Sequence, residues 1–542
     1  MSSEINQSVN KPENIVKLMF IHIDEQMNKF ETDLSIREFE NRNTVSHQYI
    51  HKYLSDSYFN VRNIRNAAYC WVMTNKKYVY CKSEKCWYKY NGKVWEVFPD
   101  TPIQAIFEFS DQIIGYLNTL DVQDENPQTK KKIEAEIYNG FRLSDLIHSN
   151  ISFCEKMIKA AVNLPNISKH NSIVIDKMNT QVRYLTLQNC VLDLKTFSLY
   201  PHDKQFYSKD MLDYRFPEKQ EELVECPLFL KFTEEIFLGK PNIRNFIIKL
   251  LGYILYPANI EEKFIYFYGK GRNGKSVFLN TISKVLKQFS TGIEAYTLID
   301  CKSDNAKVAH QKALLKDKLF AIVDENDKHY KLSEKAIKQL SSKDPINIER
   351  KFKDPEQIEN TCLIIAPVNH LPEISMKDTS IERRLVYIPF ERQFTDKDDD
   401  KRLQDKLINE AEGIFHLMLI SLFDYIQNEL QIPEELTEYK NECMNDANPF
   451  EQFIEDFELG EYTDYISFKD LYQKYIKFYA NDFYGSGIKL IGKKDFKDSL
   501  IMHGFIIMSR DSRHKNNAYV YKIKEKSNLE YNQQITLSNY SS

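Results

Sequence analysis

The stretch that decides the fold is GKGRNGKS at residues 269–276, a complete phosphate-binding loop of the G-x-x-x-x-G-K-S/T type. An apolar run at residues 264–268 precedes it and predicts a buried strand, and residues 277–287 carry apolar side chains at helical spacing. A strand, a glycine loop and a helix start surround a phosphate with backbone N–H groups at the positive end of a helix. The pattern therefore predicts a nucleoside triphosphate site formed by Gly269, Gly271, Asn273, Gly274, Lys275 and Ser276.

A second apolar run, Leu319 to Val323, ends in two carboxylates, Asp324 and Glu325. A buried strand that delivers acids at its C-terminal end is typical of a Walker B motif. In such a motif Asp324 would hold Mg²⁺ together with Ser276, and Glu325 would polarise the attacking water. An acidic turn after a core strand is the alternative, which the upstream loop makes less favoured.

Two further segments add polar groups to this pattern. Asn369 follows a third apolar run, at residues 361–366, and would sense the γ-phosphate, although asparagine is also a common turn former. Arg383 and Arg384 precede another strand-like run. They could form a solvated surface, but in a ring ATPase an arginine here reaches the neighbouring subunit and stabilises the transferring phosphoryl group. Both arginines are candidates for that role, and Lys275 would hold the β- and γ-phosphates.

Taken together, these motifs resemble a superfamily 3 helicase, and most closely the helicase part of the poxvirus-type and phage-plasmid primase-helicases. The likeness rests on G-x-G-x-N-G-K-S in the loop, a third motif, N-H-x-P after the sensor strand and I-P-F after the arginine pair. A pre-helicase segment and a W-Y…W hairpin of large-DNA-virus members add to it. The matching residues are 269–276, 339–353, 369–372, 388–390, 187–201 and 87–95. The resemblance covers most of residues 80–525, although Ser341-Ser342-Lys343 departs from the family's T-G-G-like turn.

The resemblance implies an α/β fold with an AAA+ P-loop NTPase core that forms a homo-hexamer. It also implies that the protein uses ATP and Mg²⁺ and moves along single-stranded DNA in the 3′-to-5′ direction. The basic stretch at residues 338–353 would project into the central pore and grip DNA through Arg350, Lys351 and Lys353. These cations alternate with apolar neighbours, as in a phosphate-gripping hairpin, whereas a solvated surface strand is the alternative.

The C-terminal region changes character at Asn448, where three helices and a two-stranded end are predicted. A helix at residues 493–503, closed by Gly504, precedes a basic turn, which is typical of a winged helix. The candidate DNA contacts are Lys493, Lys494 and Lys497 on the helix and Arg510, Arg513 and Lys515 in the turn. Docking of another protein is the alternative role for this unit.

Six segments are expected along the chain. They are an N-terminal accessory region with an aromatic hairpin (1–130), a pre-helicase domain (131–228), the superfamily 3 AAA+ ATPase domain (229–395), a helical connector (396–447), the winged helix (448–526) and a polar tail (527–542). The dipeptide Asn91-Gly92 predicts a two-residue hairpin turn, with Trp87 and Trp95 paired across it. The N-terminal region is too short to add a primase domain, so priming is not expected. Nicking is not expected either, because the two histidines around an apolar residue that a rolling-circle nicking enzyme needs are missing.

Composition sets bounds on partners and compartment. A net charge of −5 over 542 residues means that any DNA contact must come from local basic clusters. The nine cysteines include no C-x-x-C pair. Cys70, Cys81 and Cys86 fit no common zinc frame, so free thiols are favoured over a zinc site. No signal sequence or membrane-spanning run is evident, which favours a soluble intracellular protein in the host cytoplasm or at a viral replication site.

The expected function is ATP-dependent unwinding of DNA during replication of a viral or mobile-element genome. The expected partners are single-stranded and forked DNA, further copies of the chain and a separate primase or polymerase, but no membrane. The alternative is an origin-binding initiator or loader, whose ATPase would switch assembly without processive unwinding.

Overall fold

The chain folds as a mixed α/β protein that contains a parallel sheet. The computed structural model describes residues 14–26, 42–56, 60, 62–75, 77–121, 126–164, 173–175, 178, 182–269, 271–298, 305–324, 332–348, 356–369, 379–395, 400–446, 449–482, 490–508 and 518–525. No helix in these stretches is long and apolar enough to cross a bilayer.

The N-terminal part combines a helical core with a small sheet. Its helices are α1 (residues 14–26), α2 (Arg42–Leu54), α3 (Ile64–Thr74), α4 (Ile103–Leu117), α5 (Pro127–Ser149) and α6 (Ile151–Val162). Its strands are β1 (Tyr78–Cys81), β2 (Cys86–Tyr90), β3 (Trp95–Phe98) and β4 (Val174–Ile175), in the order β3-β2-β1-β4. Helices α2 to α6 share one apolar core with this sheet, and that core extends across residue 130, where the sequence predicts a boundary.

The aromatic hairpin is present, but its register differs from the expected one. Its loop has four residues, closed by a hydrogen bond from the Asn91 amide to the Val94 carbonyl (3.0 Å). Since loop length sets the register of a hairpin, Trp95 lies opposite Tyr90 and not opposite Trp87. The predicted pair of tryptophans across the turn was therefore wrong.

A second small sheet and two helices lead to the central sheet. They are β5 (Tyr184–Thr186), β6 (Val191–Asp193), β7 (Ser198–Tyr200), α7 (Pro227–Ile236) and α8 (Pro241–Leu255). The Arg183 Nε donates to both carboxylate oxygens of the buried Asp193 (2.8 and 2.9 Å). This pairing satisfies a carboxylate that would otherwise be costly to bury.

The central sheet has five parallel strands in the order β14-β8-β13-β10-β9. They are β8 (Phe264–Tyr268), β9 (Ser290–Ile293), β10 (Phe320–Val323), β13 (Leu363–Val368) and β14 (Leu385–Pro389). Alternate residues of β8 face opposite cores: Ile265 and Phe267 one, Phe264 and Tyr266 the other. Burial on both faces explains why these strands read as continuous apolar runs in the sequence.

The remaining elements around this sheet complete the central part. They are α9 (Lys275–Leu286), α10 (Asn305–Ala313), α11 (Glu334–Ser341), β11 (Ile346–Ile348), β12 (Glu356–Ile358), α12 (Thr379–Glu382), α13 (Leu403–Asn409), α14 (Ala411–Asn428) and α15 (Glu434–Asp446). Strands β11 and β12 pair antiparallel, with Ile346 opposite Ile358. They therefore flank residues 349–355, which carry the predicted pore cations and lie outside the described residues.

Gly252 lies where α8 meets α14. A Cβ added at Gly252 would come within 2.1 Å of the Ser421 carbonyl carbon. We expect Gly252→Ala to lower the free energy of unfolding by about 1–3 kcal/mol, because backbone atoms cannot move aside cheaply. Gly115→Ala is the matched control, since a Cβ there meets nothing within 4 Å. It should raise stability by about 0.5–1 kcal/mol through helix propensity. Denaturant unfolding of both variants measures this, and equal effects would contradict the packing argument.

The C-terminal unit has its own aromatic core, which includes Phe450, Tyr475 and Phe496. Its elements are α16 (Pro449–Glu455), α17 (Phe468–Asp482), α18 (Lys493–Met502), β15 (Phe457–Leu459), β16 (Tyr465–Ser467), β17 (Ile506–Met508), β18 (Tyr519–Tyr521) and β19 (Ile523–Glu525). The strands form two small sheets, β16-β18-β17 and β15-β19. The sequence predicts strands near residues 505–508 and 518–523 but not β15 or β16, which have three residues each.

Candidate nucleotide-binding site

The GKGRNGKS stretch connects β8 to α9, and its glycines are required by close approach at Gly269 and by backbone conformation at Gly271 and Gly274. A Cβ at Gly269 would lie 2.2 Å from the Asn273 Nδ2 and 2.3 Å from the Phe390 carbonyl oxygen. Gly271 and Gly274 adopt φ values of +94° and +86°, which L side chains rarely occupy. Gly274 is the N-cap of α9, so the loop ends at the positive end of a helix.

Asn273 fixes the loop from within. Its side chain is 3% exposed, and its Nδ2 donates to the Phe390 carbonyl oxygen (3.0 Å). The Phe390 amide in turn donates to the Tyr268 carbonyl (2.8 Å), and the Phe394 amide donates to the Arg272 carbonyl (2.8 Å). The segment that follows β14 therefore holds the loop in place from one side.

Lys275 is the buried cation of the site. Its residue exposure is 3%, and its Nζ donates to the Gly269 carbonyl oxygen (2.5 Å) and to the Asn369 Oδ1 (3.1 Å). Asn369 follows β13, the strand beside β8. The structure thus brings Asn369 to Lys275, which lies 94 positions earlier in the chain. Two neutral oxygens hold an ammonium group that an anionic ligand could also pair with.

Asp324 follows β10 and lies at the same edge of the sheet, since parallel strands end together. Its amide donates to the Ile293 carbonyl (2.8 Å), and its side chain is exposed. Ser276, in the first turn of α9, is also exposed. Hydroxyl and carboxylate oxygens fit Mg²⁺, which usually keeps several waters and takes few protein ligands. Glu325, the predicted general base, lies outside the described residues.

The arginine pair lies at the opposite edge of the sheet. Both residues precede β14, whose first residue, Leu385, is level with Phe264 at the start of β8. Five residues of strand, about 17 Å, separate this level from the loop. Arg384 is 8% exposed, whereas the Arg383 side chain is 65% exposed. Neither arginine is brought to the loop of its own chain.

Glu262 is a functional candidate that the motifs did not reveal. Its Oε2 lies 2.9 Å from the Arg384 Nη1 and 3.4 Å from the Arg383 Nη2. The adjacent Lys263 donates its Nζ to the Arg383 carbonyl oxygen (2.9 Å). Burial lowers the pKa of Lys263, and the Glu261 carboxylate partly opposes that shift. The acidic pair Glu261-Glu262, one residue before a buried strand, is the sequence signal that could have found it.

The predicted DNA contacts divide into two groups. Lys493, Lys494 and Lys497 are exposed at the start of α18. Arg350, Lys351, Lys353, Arg510, Arg513 and Lys515 lie outside the described residues. For these residues the roles stay predictions.

The three neighbouring cysteines lie on three elements. Cys81 and Cys86 face each other across β1 and β2, whereas Cys70 is buried in α3. Burial raises the pKa of both Cys70 and Cys86, which favours the thiol over the thiolate that a metal needs. In the part of the chain that the structure describes, no group of three His, Cys, Asp or Glu residues is arranged to hold a metal.

The fold and the loop define an α/β protein with a phosphate-loop sequence at the carboxyl edge of a parallel sheet. Comparison with known proteins adds family matches. The family described as "D5 N terminal like" matches residues 65–238, and a family of unknown function (DUF5906) matches residues 267–384.

Two viral proteins are similar to this chain over part of their length. A protein of Acanthamoeba polyphaga mimivirus, provisionally named a helicase, is 24% identical over 263 residues, which are 45% of this chain and 27% of that protein. A similarly named protein of the Sputnik virophage is 24% identical over 281 residues, 48% of this chain and 35% of that protein. The matched stretches thus span about a third of these relatives or less.

The apo structure of the NrS-1 C-terminal region is 15% identical, with a TM-score of 0.37, and covers 57% of this chain and 79% of that one. The family match and the two viral relatives support the resemblance to the D5-type helicases of phages and viruses.

Proposed function

We propose that this chain is an ATP-dependent DNA helicase that works as a hexameric ring during replication of a viral or mobile-element genome. The observation that carries the proposal is the contact of the Lys275 Nζ with the Gly269 carbonyl and the Asn369 Oδ1. A lysine, a glycine loop and an amide from the neighbouring strand meet at a helix N-terminus, where a triphosphate is best stabilised. Similarity to the D5-type helicases supports the use of this site on DNA.

Each residue of the site has a proposed role. Bound ATP with Mg²⁺ supplies the phosphoryl group and neutralises its charge. Lys275 holds the β- and γ-phosphates in exchange for its present oxygen partners, and Ser276 and Asp324 hold the metal. Glu325 polarises the attacking water, and Asn369 orients it beside the γ-phosphate.

The DNA contacts are proposed on two surfaces. The antiparallel pair β11–β12 supports a hairpin whose connection carries Arg350, Lys351 and Lys353 into the pore. The exposed lysines at the start of α18 support a DNA-binding winged helix in the C-terminal unit. Movement in the 3′-to-5′ direction follows from the family resemblance.

The deciding experiment is strand displacement on forked DNA with ATP and Mg²⁺. Substrates with only a 3′ or only a 5′ single-stranded tail report the polarity. Lys351→Glu should abolish unwinding while origin-duplex binding survives, because a pore cation grips single strands and not the duplex. DNA-stimulated hydrolysis without displacement by the unmodified protein would instead favour the initiator or loader.

Substitution of Asn369 should have a moderate effect on ATP hydrolysis. We expect Asn369→Ala to lower kcat for ATP by about 10²-fold with little change in KM, because the amide acts on the water and the transferring phosphoryl group. Asn369→Asp should in addition raise KM, since its carboxylate would pair with Lys275 and repel the γ-phosphate. Steady-state ATP hydrolysis measures both. An unchanged kcat in the alanine variant would exclude Asn369 from the site.

A further inference from the structure

Two residues directly before β8 hold Arg383 at two points. The Glu262 carboxylate contacts its guanidinium (3.4 Å), and the Lys263 Nζ donates to its backbone carbonyl (2.9 Å). Glu262 itself adopts the left-handed region of backbone space (φ 51°). Arg383 is therefore held by the segment that continues into the phosphate loop of the same chain.

The two arginines are held differently. Arg384 is buried, its Nη1 lies 2.9 Å from the Glu262 Oε2, and its carbonyl accepts a hydrogen bond from the Phe264 amide (2.8 Å). It is thereby built into the start of the β14–β8 ladder. The Arg383 guanidinium is mostly exposed, and its Nη2 lies 3.4 Å from the same carboxylate oxygen. Arg383 is thus the arginine that can reach another molecule.

The sheet geometry excludes a role for Arg383 at its own loop. Residues 262 and 383 precede β8 and β14 by the same two positions, at the amino edge of the sheet. The loop lies at the carboxyl edge, about 17 Å away along the strand. A nucleotide that meets Arg383 must therefore belong to a second copy of the chain.

We propose that Glu262 and Lys263 are positioning residues, which couple a subunit's own phosphate loop to the arginine that it presents to the next subunit. The inference rests on the proposed ATPase function. Strand β8 is short and buried, with Glu262 and Lys263 before it and Gly269 after it, so a shift at the loop can pass along it as a rigid element. The nucleotide bound at one subunit's loop would then set the position in which that subunit presents Arg383 to the loop of the next subunit.

Mixed assemblies test this directly. Lys275→Ala subunits lack a working loop but keep Arg383, and Arg383→Ala subunits keep the loop but lack the arginine. Each alone should be inactive, and their mixture should regain ATP hydrolysis, because one subunit supplies the arginine and its neighbour supplies the loop. Failure of the mixture to recover would overturn the assignment of Arg383 to a second copy.

The test of Glu262 depends on which of the two subunits carries a second substitution. Glu262→Gln placed in the Lys275→Ala subunits, which donate the arginine, should lower the recovered rate about tenfold, as expected for loss of a charged hydrogen bond. The same change placed in the Arg383→Ala subunits should leave the recovered rate unchanged. Glu261→Gln is the matched control in the donor, because Glu261 accepts from the Tyr425 hydroxyl (3.0 Å) and not from the arginines.

The outcomes separate the two levels of inference. Equal loss from Glu262→Gln in either subunit, or a faster rate in the donor, would overturn the positioning role. Lys263→Met in the donor is the second variant, with the same expected direction, should Glu262→Gln fail to fold. If Lys275→Ala alone still hydrolyses ATP, the proposed function itself fails. If it does not, and donor substitutions have no effect, only the coupling fails.

Discussion

Lys275→Ala is expected to reduce ATP turnover by at least about 10³-fold, because the variant loses a buried cation at the loop. In the present structure its Nζ is held by two neutral oxygens, from Gly269 and Asn369. A triphosphate offers stronger charge-assisted partners at the same place. The interaction of Lys275 with the phosphates becomes stronger in the transition state, where charge develops on the transferring group. Its loss should therefore lower kcat as well as the affinity for ATP.

Binding and turnover can be measured separately for this variant. At a ligand concentration of about 100 times Kd, ATP with Mg²⁺ should stabilise the unmodified protein by about 2.7 kcal/mol. Lys275→Ala should lose most of that stabilisation, which is measured as the rise in Tm when ATP and Mg²⁺ are added. Lys284→Ala is the matched control, since Lys284 is exposed on the same helix, α9. A variant that keeps both the rise in Tm and the turnover would rule out this loop as the nucleotide site.

Local sequence patterns predicted the elements around the site well. The loop motif, the apolar strands and the helix that follows are set by neighbours in the chain, so β8, β10, β13 and α9 could be expected from residues 264–368 alone. Parallel strands also place their carboxyl ends together, which predicts Asp324 and Asn369 at one edge. The contact of Asn369 with Lys275 agrees with that expectation.

Features set by long-range geometry could not be predicted in the same way. The Phe390 carbonyl that anchors Asn273 is a backbone atom 117 positions away, and the I-P-F motif that includes Phe390 does not reveal this contact. The aromatic hairpin was misjudged because Asn91-Gly92 suits a two-residue turn, whereas the observed loop closes at Val94. Glu262 carries no motif, and its importance depends on where β14 begins.

Arg383→Ala is expected to lose ATP turnover and Arg384→Ala to lose stability, a difference that the sequence could not reveal. Arg383→Ala should lower ATP turnover by about 10³-fold, because an arginine supplied to the neighbouring site stabilises the charge of phosphoryl transfer. Its stability should stay within about 0.5 kcal/mol of the unmodified protein, since the side chain is 65% exposed.

Arg384→Ala should instead lower the free energy of unfolding by about 2 kcal/mol, a value between those of exposed and buried ion pairs. Its side chain is 10% exposed, and the change leaves Glu262 with the longer contact to Arg383 (3.4 Å). Thermal unfolding and steady-state hydrolysis of both variants measure the two effects. At temperatures where Arg384→Ala remains folded, its turnover should stay well above that of Arg383→Ala. The reverse ranking would make the buried arginine the one that acts on the neighbouring nucleotide. That would require α12 to unfold or rotate when subunits meet, because Arg384 is otherwise fixed by the β14–β8 ladder.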